Sequence, residues 1–390
     1  MLSAQAEAEA SERAAHRALL FARTSVTFFL PPGNSDAPAS PLLTRLGAEI
    51  GANQVGDASR LVRTVPIAVR PLPEPKRWWR LSKRGLLPPR ERESFSSLSK
   101  FIFSPYQWVL EYAAGLAAGT LSGHRVPDDA MRRGTVLHDL AGALLAPEPE
   151  SSLPKVDWTR IDEPGLLRWI EQAWPLLLED KAAQYLTPGF ESARNSLLHT
   201  ARRSLWRLVR NLQEAGVTEV EVERYLGGVP FVGGELGGRI DLIVRSANRV
   251  AVVDLKLGGQ TYRQTELAEN RHLQLAVYGH LLRSSEGVDP TVAYFILAKG
   301  SLLARSGSFF PNATCVSPEN PEDASDWEIC WAEFEEVWRW RRAQLDRGQI
   351  EVTVTGTEAD TLPPHEHWLA PEGADGYNDF DALTGWPRTA

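Results

Sequence analysis

Cysteine is nearly absent from this sequence: two residues in 390, Cys315 and Cys330. Two thiols so placed give neither a disulfide framework nor a metal-ligand spacing. Long apolar runs are missing too, none approaching the roughly twenty residues of a membrane-spanning helix. No G-x-x-x-x-G-K-[ST] loop occurs, so the chain is not expected to carry an ATP site or to hydrolyse ATP on its own. A signal-peptide pattern is also lacking; "MLSAQAEAEASERAAHRALL" carries acidic residues instead, and the expected setting is reducing and cytoplasmic, with no membrane partner. Nor is there an excess of positive charge. A net charge of −8 argues against non-specific coating of nucleic acid but leaves room for a local basic channel.

The charge that is present is uneven. "EPKRWWRLSKRGLLPPRERE" sets Lys76, Arg77, Arg80, Lys83, Arg84, Arg90 and Arg92 around Trp78 and Trp79. Such a stretch stacks bases beside a phosphate-tracking groove, or it buries its aromatics and leaves its cations solvated. Arg194, Arg202, Arg203, Arg207 and Arg210 lie on a predicted helix, as a channel lining for single-stranded DNA or as a solvated face. Acidic residues gather late, in "PENPEDASDWE" and "EGADGYNDFD".

Periodicity divides the chain. A helix and the short strand "SVTFFL" are expected before residue 30, then a Pro- and Gly-broken segment and a basic linker to about residue 92. Ser96 or Ser97 is a candidate N-cap for the helix "LSKFIFSPYQWVLEYAAGL", which Pro105 divides. "MRRGTVLHDLAGALL" keeps its apolar residues on one helical face, and 155–214 reads as helical throughout. The period then changes to two in "TEVEVERYLGG", "ELGGRIDLIVRS" and "RVAVVDLKLG". The helix "TELAENRHLQLAVYGHLLRS", the strand "TVAYFILAKG" and a Trp-rich helix from Trp327 follow. The last forty residues, about 350–390, read as mostly irregular. This order predicts an α/β core with an N-terminal helical elaboration.

The β-like runs carry charges. Alternation puts Asp254 and Lys256 on one face of their strand, with Val253, Leu255 and Leu257 on the other. In the preceding strand Ile240, Leu242 and Val244 share a face and Asp241 takes the opposite one. A short turn joins the two strands, so Asp241 and Asp254 are expected to be neighbours. Taken alone, the charges fit a solvated sheet face, a structural ion pair or a site. Two adjacent carboxylates repel unless a proton or cation intervenes, and carboxylate and carbonyl oxygens suit Mg²⁺ or Mn²⁺.

The order of the surrounding residues resembles the PD-(D/E)XK nuclease superfamily, and within it the RecB-like domains of AddB-type proteins. Gly134 and His138 match a helical G-x-x-x-H. Gly238 and Asp241, then Asp254 and Lys256, match G-x-x-D and D-x-K, while Gln274 and Tyr278 match Q-x-x-x-Y. Glu223 matches an earlier acidic position, with Glu221 two residues away as the rival. The resemblance implies a restriction-endonuclease-like α/β core, a mixed sheet flanked by helices, over residues 93–390, with a helical insertion at about 155–214. It implies that Asp241, Asp254, the Leu255 carbonyl and His138, with Glu223 as a further candidate, hold Mg²⁺ or Mn²⁺. Lys256 would position or activate the attacking water, and Gln274 and Tyr278 would contact substrate or brace the site. The implied reaction is hydrolysis of DNA to 5′-phosphates at ends or single strands, without sequence specificity, in repair or phage defence. Lys256→Ala is expected to abolish cleavage and leave the fold intact. A non-catalytic DNA-binding subunit and a partner-activated RNase are the rival readings.

Two further likenesses concern partners and cofactors. "SERAAHRALLFARTSVTFFLP" resembles the last motif region of UvrD-type helicases and of the inactive helicase module in AddB, with Arg23 near the family arginine. Residues 1–92 are therefore read as the end of a helicase-like module plus linker, with a helicase or ATPase subunit as a candidate partner. Many AddB-type nucleases hold an iron–sulfur cluster on four cysteines; here Ser104, Asp375, Asn378 and Thr384 stand at those places. Thiolates are needed to hold such a cluster, so none is expected.

Overall fold

The three alternating segments between 219 and 256 form the longest strands among the described residues. The computed structural model describes residues 74–116, 129–146, 152–187, 189–232, 234–247, 249–318, 327–353 and 380–385. The expectations for residues 1–73, Arg23 among them, and for Asp375, Asn378 and the acidic stretch around them lie outside these residues. The chain splits into two compact units, Met1–Pro71 and Leu72–Ala390.

The second unit begins with β1 (Trp78–Arg80) and β2 (Arg92–Glu93), followed by helices α1 (Phe95–Phe103) and α2 (Pro105–Trp108) and a π turn, Val109–Ala113. Next come α3 (Asp129–Leu145), α4 (Glu163–Lys181) and α5 (Glu191–Glu214). The sheet strands are β3 (Glu219–Phe231), β4 (Gly234–Ser246) and β5 (Arg249–Lys256); α6 (Gln260–Ala268) and α7 (Leu273–Glu286) lead to β6 (Thr291–Ile296), β7 (Ser301–Ala304) and β8 (Thr314–Cys315). The series closes with α8 (Trp327–Asp346), β9 (Gln349–Glu351) and α9 (Asp381–Thr384).

Local chemistry sets several boundaries differently from the sequence reading. Ser94, not Ser96 or Ser97, caps α1, its extended backbone turning its hydroxyl to accept the Ser97 N–H. Proline at the first turn of α2 separates it from α1, as expected. The stretch 155–162 is not helical; Asp162 caps α4 by accepting the Gly165 N–H. The single helix expected after β5 is two, parted where Asn270 takes a left-handed φ of 56°.

The sheet is mixed, running β2-β4-β5-β6-β7-β8 with β3 also paired to β4. The β3·β4 and β4·β5 pairs are antiparallel and β5·β6 is parallel. Helices α3, α4 and α5 bury their apolar stripes on one side of it with Leu242, Val244, Val253 and Leu255. On the other side α1, α7 and α8 pack over Ile243, Val250, Val252 and Ile296. Ile240 joins this second group rather than that of Leu242 and Val244, so the strict alternation expected along β4 breaks at Asp241.

The edge of β4 away from β3 is shared. Its start pairs with β2 at Glu235 and Leu236, and its end pairs with β5 from Leu242 onward. Residues 237–241 lie in the gap between. A small second sheet, β1 against β9, is held by Glu351: Arg77 donates to it at 2.8 and 2.9 Å, and the buried Arg341 pairs with its other oxygen.

Candidate metal centre

The gap in the β4 ladder places the first carboxylate. Where β4 parts from β5 the Leu255 N–H loses its ladder partner, and Asp241 Oδ2 accepts it at 2.7 Å. Helix α3 brings the half-buried His138 to the same point, its Nδ1 3.8 Å from Asp241 Oδ2. Glu223 completes the group: one ligand atom each from His138, Glu223 and Asp241 lies within 4.8 Å of the others.

Glu223 reaches this point by an unusual backbone. Its φ is +51°, in the left-handed region, in the middle of a strand. Val220 and Val222 before it pack toward α3, whereas Leu226 after it packs toward α7 and α8. The rival acid, Glu221, is engaged elsewhere, accepting from Arg224 at 2.5 Å and from Arg245 at 2.8 Å.

Asp254 lies next to this group on β5, outside the 4.8 Å set. It is 0% exposed, and Lys256 Nζ stands 2.7 Å from its Oδ2. The contact is an ion pair outside hydrogen-bonding angles, and neither Asp254 oxygen accepts a hydrogen bond among the described residues. Burial pushes the Asp254 carboxyl up to about 6 against the pull of Lys256, and the charge of Asp241 adds to the rise. Burial likewise lifts Asp241 to about 6, opposed by the Leu255 N–H and Lys256. It raises Glu223 as well and lowers His138. Burial thus shifts each of these groups toward its neutral form.

The donor set fits a divalent cation. The Asp254 oxygens, buried without a hydrogen-bond donor, lie near the Asp241 and Glu223 carboxylates, the His138 imidazole and a backbone carbonyl, a combination suited to Mn²⁺ or Mg²⁺. A groove of about 610 Å³ opens over them, lined by Gly134 and His138 of α3, Glu223 and Arg239 of the hairpin, and Leu255 and Lys256 of β5.

From α7, Gln274 Nε2 donates to Tyr278 Oη at 3.1 Å. The buried Tyr278 hydroxyl feels the Asp254 and Asp241 charges, which with burial raise its pKa. Gly238 makes room for this ring; a Cβ there would come 3.4 Å from Tyr278 Cε1 and 3.2 Å from Leu281 Cδ1.

Other singled-out residues lie apart from the cluster. Arg77 is bound to Glu351, and the Trp79 ring packs 5.7 Å from Tyr106, while Lys76 and Arg80 are exposed beside the half-buried Trp78. Arg203 donates to the Ala298 carbonyl and Arg207 to that of Lys299 at 2.7 Å. These two brace the turn whose Leu297 and Ala298 N–H groups close the end of β5 on Lys256 and Leu257. Arg239 was not singled out by sequence: a lone arginine in a strand reads as a solvated face, and only its place in the groove marks it.

Comparison with known proteins adds the family. The family model described as the PD-(D/E)XK nuclease superfamily matches residues 92–356. A solved structure from Eubacterium rectale, named "Putative exonuclease", is similar at 10% identity and a TM-score of 0.34, covering 67% of this chain and 84% of that one. No curated protein matches the sequence.

Proposed function

Because the chain belongs to the PD-(D/E)XK nuclease superfamily, we propose that it is a metal-dependent deoxyribonuclease acting at DNA ends or on single strands. The observation that carries this reading is the convergence of His138, Glu223 and Asp241 within 4.8 Å, beside the Asp254–Lys256 pair. His138, Asp241, Asp254 and the Leu255 carbonyl would hold Mg²⁺ or Mn²⁺, with Glu223 as a further ligand. The cation would supply Lewis acidity for attack of water on a phosphodiester.

The chain's own groups divide the remaining work. Lys256, at the groove wall, orients the attacking water and offers positive charge to a phosphate oxygen. Asp254 holds that ammonium in place at 2.7 Å. The Leu255 N–H fixes the Asp241 carboxylate, and Tyr278 with Gln274 braces the site from α7. Products would carry 5′-phosphates. Action in recombinational repair or phage defence alongside a helicase subunit, in a cytoplasmic setting, rests on the AddB-type likeness of the sequence. The absence of an iron–sulfur cluster rests on the missing thiols.

The test is cleavage of labelled single-stranded DNA, duplex DNA and RNA with Mg²⁺, Mn²⁺ or EDTA. Cleavage of DNA should require metal, and Lys256→Ala should lower the rate about a hundredfold or more. Metal-independent cleavage, or a fully active Lys256→Ala, would overturn the reading. Binding without cleavage would leave a DNA-binding subunit, and cleavage of RNA alone would move the substrate.

A further inference from the structure

Tyr225 stands two residues beyond Glu223 on β3, directly across the ladder from Arg239 of β4. Its side chain is 58% exposed, whereas the adjacent Leu226 is buried in the core. The backbone beneath the ring is bare. A Cβ at Gly237 would come 2.5 Å from Tyr225 Oη, and one at Gly227 would come 2.8 Å from its Cε1. Both glycines let the ring lie along the hairpin, one face against backbone and the rest open. Gly237 is buried under it.

Arg239 is the second part. It is exposed, its Nε stands 4.0 Å from Glu223 Oε2, and it lines the groove together with His138 and Lys256. An aromatic plane and a cation therefore share the hairpin that carries Glu223. Residues two apart in a strand are about 7 Å apart, and the Tyr225 ring runs on from there over Gly227 and Gly237, so a base stacked on it would lie about two nucleotides from Glu223.

We propose that Tyr225 and Arg239 form a nucleotide platform beside the metal centre. Arg239 pairs with a phosphate oxygen close to the cleaved bond, and Tyr225 stacks a base about two nucleotides further along the hairpin. A base inside a duplex has both faces covered, so the platform takes an unpaired base, in a single strand or a frayed end. Stacking on one ring is tolerant of base identity, in keeping with cleavage without sequence preference. The inference rests on reading the protein as a nuclease, and it names the form of substrate its site accepts.

The experiment is equilibrium binding of a fluorescein-labelled single-stranded oligodeoxynucleotide, and of a hairpin-capped duplex of the same sequence, to the full chain in EDTA. Tyr225→Ala should weaken single-strand binding about tenfold, with Tyr225→Phe close to wild type and the duplex unaffected. Arg239→Ala should weaken binding and reduce the slope of its salt dependence by about one. Because Tyr225 is exposed, the Tyr225→Ala variant should melt with wild type.

Three results would each overturn the platform: Tyr225→Ala within twofold of wild type on the single strand, Tyr225→Phe as weak as Tyr225→Ala, or equal losses on the duplex. Metal-dependent cleavage by wild type, with undiminished binding by Tyr225→Ala, removes the platform and leaves the nuclease. Selective loss of single-strand binding in Tyr225→Ala, with no cleavage by wild type under any metal, keeps the platform and removes the catalytic reading.

Discussion

Glu223 shows what a single residue contributes and what it costs. A non-glycine residue at a φ of +51° in a strand is held at a cost of about 1–2 kcal/mol. In return the carboxylate turns toward His138 and Asp241. Glu223→Gly should accordingly be more stable than Glu223→Ala by about 1 kcal/mol in denaturant unfolding. Both should bind Mn²⁺ more weakly by calorimetric titration. Equal stabilities would mean that the backbone there is not strained. Alternation could not choose between Glu221 and Glu223, because both lie on the same face of an ideal strand. The choice is made by Arg224 and Arg245, which occupy Glu221, and by the left-handed turn that redirects Glu223.

Among the elements, the link between α8, β9 and β1 depends on one buried carboxylate. Arg341 is 1% exposed; it donates to the Ile102 carbonyl at 3.0 Å and pairs with Glu351. Burial lowers its pKa against the pull of that carboxylate. Removing Glu351 leaves Arg341 as an uncompensated buried charge and takes one partner from Arg77. Glu351→Ala should therefore cost about 3–5 kcal/mol in thermal or denaturant unfolding, far more than an exposed pair. A loss below about 1 kcal/mol would show that the pair does not hold β9 in place. This link was not visible in the sequence, since Arg77 and Glu351 are separated by most of the chain. The α6–α7 break was equally hidden: Glu269 to His272 are polar residues that a helix tolerates, and only the fold shows the left-handed Asn270 that parts the two helices.

At the scale of the whole molecule, the proposed metal site would couple pH, cation and stability. Asp241 and Asp254 have folded-state pKa values raised to about 6. Between the unfolded carboxylate range and about 6 the folded chain holds protons that the unfolded chain releases. This stabilisation is complete at low pH and is lost as pH rises through about 6. Above that value the metal-free protein carries two buried charges that a cation would neutralise. Mn²⁺ should therefore raise the thermal midpoint clearly at pH 8 and little at pH 5, where it competes with protons. Asp241→Asn, which keeps an acceptor for the Leu255 N–H, should reduce the shift at pH 8. A shift of equal size at both pH values would contradict the assignment of these carboxylates as ligands.

Much of this architecture is written in local order. The two-residue period of β3, β4 and β5, the helical face of α3 and with them the α/β class follow from side-chain alternation and turn chemistry along short stretches. His138, Asp241, Asp254, Lys256, Gln274 and Tyr278 were marked by their resemblance to a nuclease motif, and the scarcity of thiols is plain from composition. Only the tertiary structure decided how the sheet opens between β2 and β5, leaving 237–241 unpaired on one edge so that a side chain, rather than backbone, meets the Leu255 N–H. It alone brought Glu223 rather than Glu221 to His138 and Asp241, bound Arg77 to Glu351, and set Arg239 in the groove across the ladder from Tyr225. Those outcomes depend on which distant groups fill each other's hydrogen-bonding and packing vacancies, and neighbouring residues in the chain carry no record of that.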